Sequence, residues 1–356
     1  YHDTLTGNAG DNRFAGGEGR DSLSGGDGVD ELRGGPDNDL LMGYNPATHS
    51  DTAGNTLYGE QGDDTLSGGD LGSFTDRLYG GTGSDQLYGG FGDDLLFGAM
   101  TADGSGDTAG NFLYGQAGND ELYGSDFADS LSGGADKDQL TGNGGNDRLE
   151  GGTEDDRLSG DAGDDTLSGG AGIDTLLGGP GADSFIDSVA NLDGDTLNDV
   201  GAEDLIVVTG ARFDSLDYDK ATGVLGLDTD DNGSFETHLQ MAVGLGGVFR
   251  AQASAPGADA GTDLWYVPDT DGDGWADDED NAINVPNLDQ RDTDGDGYGN
   301  VVDADLNQDM TVDFFDLSLF DGVFDTDDPN ADFNGDGTVD FFDLSILDGL
   351  FGAPPG

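Results

Sequence analysis

The sequence predicts a mainly β protein: a solenoid of short parallel strands, a β-rich cap, an acidic loop segment and a small C-terminal pair of loop–helix units. Glycine pairs recur every nine residues in the first half, as at Gly16–Gly17 and Gly25–Gly26. Leu or Phe holds the eighth place of each unit, as at Leu23 and Phe185. Strands this short gain stability only by stacking on neighbours, so the period predicts a solenoid over residues 1–186.

The acidic composition indicates either a disordered chain or a chain that folds with a cationic partner. The 356 residues include 76 Asp and Glu but only 11 Lys and Arg, for a formal net charge of −65. Adjacent carboxylates repel one another, because salt screens charges only beyond about 8 Å at physiological ionic strength. Nucleic acid is excluded as a partner, since it needs a basic surface. We expect no membrane insertion, since no apolar run approaches the ~20 residues of a span.

Each nine-residue unit combines a turn, a carboxylate and a core residue, as in GGEGRDSLS from Gly16. Paired glycines permit a tight turn, and the sixth residue is nearly always Asp. Carboxylate and backbone carbonyl oxygens are the ligands that Ca²⁺ prefers. The sixth-position residues, with Asp64 and Asp76 in the same phase, are therefore predicted metal ligands: Asp21, Asp30, Asp39, Asp64, Asp76, Asp85, Asp94, Asp120, Asp129, Asp138, Asp147, Asp156, Asp165, Asp174 and Asp183.

This pattern resembles the RTX family of calcium-binding repeats, over residues 1 to about 186. The resemblance implies a parallel β-roll in which calcium ions lie between successive turns, each bound by turns of adjacent coils. It also implies secretion in an unfolded state and folding on extracellular calcium. We therefore expect multiple Ca²⁺ ions and an extracellular location. The chain opens at Tyr1 inside a repeat, from which we expect a processed protein or a piece of a longer one.

The phase breaks around Gly43–Gly54, Asp70–Thr75 and Gly98–Gly110. Two breaks end alike, as DTAGNTLYG from Asp51 and DTAGNFLYG from Asp107. We expect loops that bulge from one edge of the roll, serving either as tolerated insertions or as partner-binding segments. Calcium occupancy stays open where Asn replaces the repeat Asp, at Asn12, Asn55 and Asn111.

Residues 187–250 are predicted to form a β-rich cap, because a solenoid end needs a cover over its open sheet edge. Candidate strands are Leu205–Thr209, Val224–Asp228, Phe235–Met241 and Ala242–Leu245. The turn with Asp228, Asp230 and Asn232 is either another calcium site or a plain polar turn. Residues 251–263 have the composition of a linker.

Residues 264–303 place Asp at alternate positions twice, each time before a glycine that permits a sharp bend. The string DNAINVPNLDQRDTDGDG from Asp280 is similar to thrombospondin type 3 repeats. It departs from them at Ala282 and Val302, where that family usually has a bridged cysteine pair. The predicted ligands are Asp269, Asp271, Asp273, Asp292, Asp294 and Asp296.

Residues 304–356 contain two loops of EF-hand type, each running into a short amphipathic helix. The pair resembles a type I dockerin, a module that binds cohesin domains through loop positions 10 and 11. Those positions hold phenylalanines, which either pack the helices or form an apolar docking surface: Phe314, Phe315, Phe341 and Phe342. The predicted ligands are Asp305, Asn307, Asp309, Thr311, Asp313, Asp316, Asp332, Asn334, Asp336, Thr338, Asp340 and Asp343.

Catalysis finds no support in the motifs. The histidines His2, His49 and His238 lie far apart, and metalloprotease, hydrolase, phosphate-loop and dinucleotide signatures are missing. We predict that the chain is not an enzyme, although an enzyme domain upstream of Tyr1 stays an alternative.

Three functions compete. The first is a calcium-dependent structural or adhesive extracellular protein, a fibre or surface-matrix subunit that self-associates head-to-tail. The second is the secretion and anchoring tail of a hydrolase, docked to a cohesin-bearing scaffold. The third is a calcium buffer without a partner, which leaves the terminal modules unexplained.

Overall fold

A computed structural model describes residues 1–47, 52–69, 72–101, 104, 106–210, 215–228, 234–241, 248–253, 261–268 and eleven further residues between 324 and 347. The chain divides into two compact units. The first comprises Tyr1–Gly244 and Phe249–Tyr266, and the second comprises Leu245–Val248 and Val267–Gly356.

The first unit is built almost wholly of short strands. In chain order they are β1 (Thr4–Thr6), β2 (Arg13–Ala15), β3 (Ser22–Ser24), β4 (Glu31–Pro36), β5 (Leu40–Met42), β6 (Thr56–Gln61), β7 (Thr65–Gly69), β8 (Arg77–Thr82), β9 (Gln86–Phe91), β10 (Leu95–Phe97), β11 (Phe112–Ala117), β12 (Glu121–Tyr123), β13 (Ser130–Ala135), β14 (Gln139–Thr141), β15 (Arg148–Thr153), β16 (Arg157–Ser159), β17 (Thr166–Ala171), β18 (Thr175–Leu177), β19 (Ser184–Ser188), β20 (Thr196–Asn198), β21 (Leu205–Thr209), β22 (Ser215–Asp219), β23 (Val224–Asp228), β24 (Thr237–Gln240), β25 (Val248–Ala253) and β26 (Thr262–Val267). One four-residue helix, α1 (Val189–Leu192), separates β19 from β20.

The strands form two sheets of thirteen strands each. Sheet 1 contains the odd strands β1 to β21 in sequence order, and sheet 2 the even strands β2 to β20. Each strand pairs in parallel with the strand two places along the chain, so successive coils stack in register. The eighth-position leucines meet across coils, as Leu122 opposes Leu140, and they are almost completely buried. The predicted parallel β-roll and its leucine core are confirmed.

The roll extends one coil beyond the predicted boundary at residue 186. Strand β20 pairs in parallel with β18, and β21 pairs in parallel with β19. Helix α1 occupies the turn where the nine-residue phase is lost, and parallel pairing resumes after it. Burial of Leu197 and Ile206 in the core explains why the coil persists without the glycine pattern.

The three phase breaks do not share one edge. Those around Gly43–Gly54 and Asp70–Thr75 lie where the chain passes from sheet 1 to sheet 2. The break around Gly98–Gly110 lies between β10 and β11, where the chain returns from sheet 2 to sheet 1. The prediction of a common edge is wrong for this third break, because three strands separate it from the second. An odd number of strands moves the next turn to the opposite edge.

The cap continues both sheets rather than forming a separate layer. Strands β26 and β25 extend sheet 1, while β24, β23 and β22 extend sheet 2. The predicted strands at Leu205–Thr209 and Val224–Asp228 are confirmed, and the third is shorter, at Thr237–Gln240. The fourth, at Ala242–Leu245, lies outside the described residues. The linker predicted over 251–263 is too long at both ends, because its first and last residues belong to β25 and β26. The composition of residues 251–263 did not indicate the alternation of buried and partly buried residues along β26.

The described part of the second unit contains a small apolar cluster. Its buried members are Ala331, Phe333, Val339 and Leu347. Among the described residues from 342 to 347, all four are helical. The first predicted loop–helix unit lies outside the described residues apart from Phe324, and the second is described only in part. The two predicted EF-hand-like units therefore stay a prediction. Within the described residues, no helix is long and apolar enough to span a membrane.

Candidate calcium sites

The sixth-position side chains form two continuous ladders, one along each edge of the roll. Each side chain accepts, through Oδ1, the backbone N–H of the equivalent residue one coil earlier, at 2.5–2.9 Å. For example, the N–H of Asp120 donates to Asp138 at 2.8 Å. The acceptors before sheet 1 strands, the first ladder, are Asp21, Asp39, Asp64, Asp85, Asn111, Asp129, Asp147, Asp165, Asp183 and Asp204. Those before sheet 2 strands, the second ladder, are Asp30, Asn55, Asp76, Asp94, Asp120, Asp138, Asp156, Asp174 and Asp195.

The second carboxylate oxygen of most ladder residues is buried and, within the described part of the chain, has no hydrogen-bond partner. A buried oxygen of this kind costs free energy unless a cation or donor satisfies it. Its recurrence in coil after coil indicates a repeated ligand rather than a local defect. The residues concerned are Asp21, Asp39, Asp64, Asp85, Asp94, Asp120, Asp138, Asp147, Asp156, Asp165, Asp174, Asp183 and Asp195.

The first glycine of each unit leaves room for these oxygens. A Cβ atom on Gly151 would lie 2.4 Å from Asp156 Oδ2 and 2.5 Å from the carbonyl oxygen of Gly169 in the next coil. A Cβ on Gly142 would likewise lie 2.2 Å from Asp147 Oδ2 and 2.7 Å from the Gly160 carbonyl. Glycine is required here because a carboxylate and a backbone carbonyl converge on the space that a side chain would occupy.

Burial makes the ladder carboxylates resist ionisation. Desolvation raises the pKa of Asp85, Asp120, Asp147 and Asp156 to about 8, with the charges of adjacent ladder carboxylates adding to the effect. It raises the pKa of Asp64 to about 7. The hydrogen bond from the preceding coil acts in the opposite direction by favouring the charged form. A divalent cation would offset the free-energy cost of ionising these buried carboxylates, since it compensates two carboxylate charges.

The donor set fits Ca²⁺. The ion takes six to eight oxygen ligands in flexible geometry. Within the described residues, no three acidic or histidine side chains gather around one point. A site here must therefore combine one carboxylate per turn with backbone carbonyls such as those of Gly160 and Gly169. The chemistry that the ion would supply is neutralisation and cross-linking of adjacent coils.

A second set of polar side chains links the coils in the opposite direction. These residues stand one place before the ladder and accept an N–H from the following coil. Asn146 accepts from Asp164 at 3.1 Å, and Asp164 accepts from Ala182 at 3.0 Å. These side chains are exposed, unlike the ladder carboxylates. They tie coils together without forming a buried site.

Sequence reasoning missed two ladder residues, Asp195 and Asp204. Asp195 is completely buried and accepts the N–H of Asp174 at 2.8 Å; burial raises its pKa to about 7. Asp204 accepts the N–H of Asp183 at 2.9 Å. Each lies 21 residues after its partner rather than 18, because of the insertion at α1. The triplet Asp-Thr-Leu at Asp195, identical to that at Asp174, was the available signal.

Outside the ladders, few predicted ligands are described. Asp228 is buried in β23 and accepts a hydrogen bond from Ser215 Oγ at 3.3 Å. Asp340 accepts the N–H of Phe342 at 2.7 Å, and Phe342 is 71 % exposed. Thr338 is described and exposed. The remaining predicted residues lie outside the described part: Asp230, Asn232, Asp269, Asp271, Asp273, Asp292, Asp294, Asp296, Asp305, Asn307, Asp309, Thr311, Asp313, Phe314, Phe315, Asp316, Asp332, Asn334, Asp336, Phe341 and Asp343.

The nine-residue repeat matches the family model of the RTX calcium-binding nonapeptide repeat. The matched residues are 2–43, 50–70, 71–103, 105–140, 114–149, 123–158, 141–176 and 150–185. No curated protein matches the chain. The roll is therefore an array of RTX calcium-binding nonapeptide repeats, and the protein binds multiple Ca²⁺ ions. The C-terminal resemblances to thrombospondin type 3 repeats and dockerins stay predictions.

Proposed function

We propose that this protein is an extracellular structural protein whose roll folds when calcium binds. The observation that carries this proposal is the pair of buried carboxylate ladders. Without cations, stacked carboxylates at each edge repel one another, and in the described part of the chain most of their Oδ2 atoms have no hydrogen-bond partner. Binding free energy becomes folding free energy when the unfolded chain has no preformed site. RTX repeats are typical of secreted proteins, and millimolar extracellular calcium suits modules of this kind.

Circular dichroism with sedimentation tests this proposal. Calcium is titrated from zero to about 10 mM, beside magnesium at the same concentrations. We expect a cooperative transition from coil to β structure in calcium only, because Mg²⁺ demands octahedral geometry and keeps its water. A chain already folded in chelator at neutral pH would overturn the proposal.

A fibre or surface-matrix subunit is the specific form of this function that we favour. In that form, the calcium-folded chain self-associates, and sedimentation records large species that disperse when calcium is chelated. A monomer at every calcium concentration would exclude the fibre form and leave the calcium-folded structural role in place.

An anchoring function is the second candidate, favoured by one observation. Phe342, at loop position 11 of the second predicted dockerin-like unit, exposes 71 % of its surface, which suits docking better than packing. Capture of a purified cohesin domain in calcium would support this function. The matched variant Phe342→Ser should then lose capture while keeping the same circular dichroism spectrum.

A further inference from the structure

Asn111 interrupts the first ladder in a way that leaves no oxygen for an ion. Its Oδ1 accepts the N–H of Asp85 at 2.9 Å, as a ladder carboxylate would. Its Nδ2 must therefore face the space that Oδ2 occupies elsewhere. A Cβ on Gly98 would lie 2.7 Å from this nitrogen, whereas a Cβ on Gly115 would lie 2.3 Å from Asp120 Oδ2. An amide N–H₂ group donates only and cannot ligate a cation.

The inserted loop supplies the partner for this amide. Asn111 Nδ2 donates to Asp107 Oδ2 at 2.6 Å, across four residues of the chain. Asp107 Oδ1 accepts the backbone N–H groups of Thr108 at 2.6 Å and Gly83 at 3.1 Å. Asp107 thus has its hydrogen-bonding capacity used by the loop and the neighbouring coil. The buried Asn111 side chain, 1 % exposed, thus spends its N–H₂ group on a hydrogen bond to a carboxylate of the loop and offers the cradle no oxygen.

The same arrangement recurs at Asn55 in the second ladder. Asn55 Oδ1 accepts the N–H of Asp30 at 2.9 Å, and Nδ2 donates to the carbonyl of Ala53 at 3.3 Å. A Cβ on Gly43 would lie 2.6 Å from Asn55 Nδ2. Asn55 and Asn111 both end the pentapeptide Asp-Thr-Ala-Gly-Asn. At both copies of this sequence an amide nitrogen therefore faces the cradle, which is the space beside the first glycine of a unit where the ladder Oδ2 lies in regular coils.

Asn12 is different and serves as an internal comparison. Its Oδ1, rather than its nitrogen, lies nearest the missing Cβ of Gly7, at 2.0 Å. Nδ2 donates to the carbonyl of Gly10 at 2.5 Å. Asn12 belongs to the first coil, and its Oδ1 accepts the N–H of Asn8 in its own turn rather than an N–H of an earlier coil. The nitrogen therefore faces the cradle where an earlier coil donates to Oδ1, as at Asn55 and Asn111.

A step is the hydrogen-bonded pair of ladder residues from two consecutive coils. At the next step of the first ladder, the second carboxylate oxygen also has hydrogen-bond partners within the chain. Ser125 stands where most units have a second glycine, and its N–H donates to Asp129 Oδ2 at 2.5 Å. Its hydroxyl donates to the same oxygen at 3.1 Å. Asp129 is the ladder residue that follows Asn111. The hydrogen bonds around the third phase break therefore replace free oxygens at two successive steps.

Aromatic side chains bridge the coils at these same steps. Tyr88 and Tyr114 stack at 5.1 Å between ring centroids, across the step that contains Asn111. The guanidinium of Arg33 lies 4.3 Å from the ring centroid of Tyr58, across the step that contains Asn55. Further stacking on sheet 2 joins neighbouring coils through Tyr58–Tyr79, Tyr79–Phe97 and Phe97–Tyr123.

The regular coils lack these rings at the equivalent position. From β13 to β18 the third residue of each strand is small, polar or aliphatic: Ser132, Thr141, Glu150, Ser159, Ser168 and Leu177. Stacked rings and cation–π contacts stabilise by dispersion and quadrupole interactions that need no cation in the turn. Two of these contacts, Arg33–Tyr58 and Tyr88–Tyr114, span the steps where an amide replaces the carboxylate. The other pairs on sheet 2 span steps whose ladder acceptors are aspartates: Asp76, Asp94 and Asp120.

We propose that the steps at Asn55 and Asn111 are calcium-free because an amide nitrogen faces the glycine cradle there. The Arg33–Tyr58 contact and the Tyr88–Tyr114 stack join the coils at these two steps. The coils that meet at these two steps then depend less on calcium than the regular coils after them. This inference is independent of whether the protein self-associates.

Calcium stoichiometry of the full chain tests the proposal, measured by elemental analysis after equilibrium dialysis. Asn111→Asp should bind about one more ion per chain than the parent, since a second oxygen enters the cradle. The matched control Asn146→Asp makes the same exchange at an exposed position and should leave the count unchanged. Asp107→Ala should also leave the count unchanged, because its carboxylate serves the amide rather than an ion. An unchanged count in Asn111→Asp, or a reduced count in Asp107→Ala, would overturn the proposal.

Hydrogen exchange on the unmodified chain provides a second test that needs no variant to fold. At a calcium concentration that leaves the roll partly folded, amides of β6 and β11 should exchange more slowly than those of β14 and β16. Uniform exchange across these four strands contradicts the proposed calcium-free steps. Magnesium at equal ionic strength controls for general charge screening.

Discussion

The backbone N–H of Asp120 donates to Oδ1 of Asp138 at 2.8 Å, while Oδ2 of Asp138 is buried without a hydrogen-bond partner in the described structure. One carboxylate therefore has two separate tasks. Oδ1 fixes the backbone of the previous coil, and Oδ2 offers a ligand in the glycine cradle. The two tasks are separable by mutation, because an amide retains the acceptor and replaces the ligand.

Asp138→Asn should lose about one calcium ion and about 1–3 kcal/mol of stability in calcium, the cost of leaving a buried polar group unpaired. Urea unfolding at fixed calcium, with elemental analysis, measures both quantities. Asp136→Asn is the matched control, since Asp136 is exposed two residues away and Asn tolerates its positive φ of 77°. Equal losses in both variants would show that charge, rather than the cradle, is responsible.

The calcium-free chain should become less stable as pH rises from about 4 to about 8. Burial raises the pKa of Asp85, Asp120, Asp147 and Asp156 in the fold to about 8, against about 3.9 unfolded. The fold therefore binds more protons than the unfolded chain between these values, and its stability falls through that window. Circular dichroism in chelator at stepped pH measures this. Greater β content at pH 8 than at pH 5 would contradict it.

Gly151→Ala should destabilise the roll by about 1–3 kcal/mol, as overpacking does. The new methyl group would lie 2.4 Å from Asp156 Oδ2 and would push the carboxylate out of its position. Gly144→Ala is the matched control, because its methyl group would have no atom nearer than 3.6 Å. Thermal unfolding in saturating calcium compares the two. A tolerated Gly151→Ala would mean that the cradle adapts.

Tyr79→Ser should destabilise the roll by about 1–3 kcal/mol, since it removes two stacked pairs. Tyr79 stacks on Tyr58 and on Phe97, at 4.9 Å in both cases. Serine occupies the same place in the regular coil at Ser159, so the backbone accepts it. Chemical unfolding at low and high calcium measures the change. Loss of a calcium ion in this variant, instead of stability alone, would refute the assignment of these rings to cation-independent contacts.

The repeat predicted the roll well because each position of the unit has one physical task. Leucine spacing placed the core, and Asp spacing placed the ladders. Asp195 and Asp204 were missed because a three-residue insertion shifts the phase, although the buried coil needs only Asp followed by a core residue. The side of each loop follows from the number of strands between breaks.

Contacts between distant segments account for most of the remaining differences. Strand β26 joins sheet 1 beside β21, although more than fifty residues separate the two strands. No local sequence pattern predicts a pairing at this separation. The orientation of the amides at Asn55 and Asn111 depends on which atom meets the preceding N–H, so sequence left their occupancy open. The C-terminal ligands stay predictions, because all but Thr338 and Asp340 lie outside the described residues.

The hydrogen bonds of the ladders all have one polarity. Each carboxylate belongs to the later coil and accepts an N–H of the earlier one, as Asp156 does for Asp138. The buried side-chain hydrogen bonds of a coil are therefore completed only by its successor, whereas the side chains that act in the other direction, such as Asn146, are exposed. Assembly of the roll should accordingly advance from the β-rich cap toward the first repeats. Pulsed hydrogen exchange during calcium-jump refolding would show protection in β18 before β4.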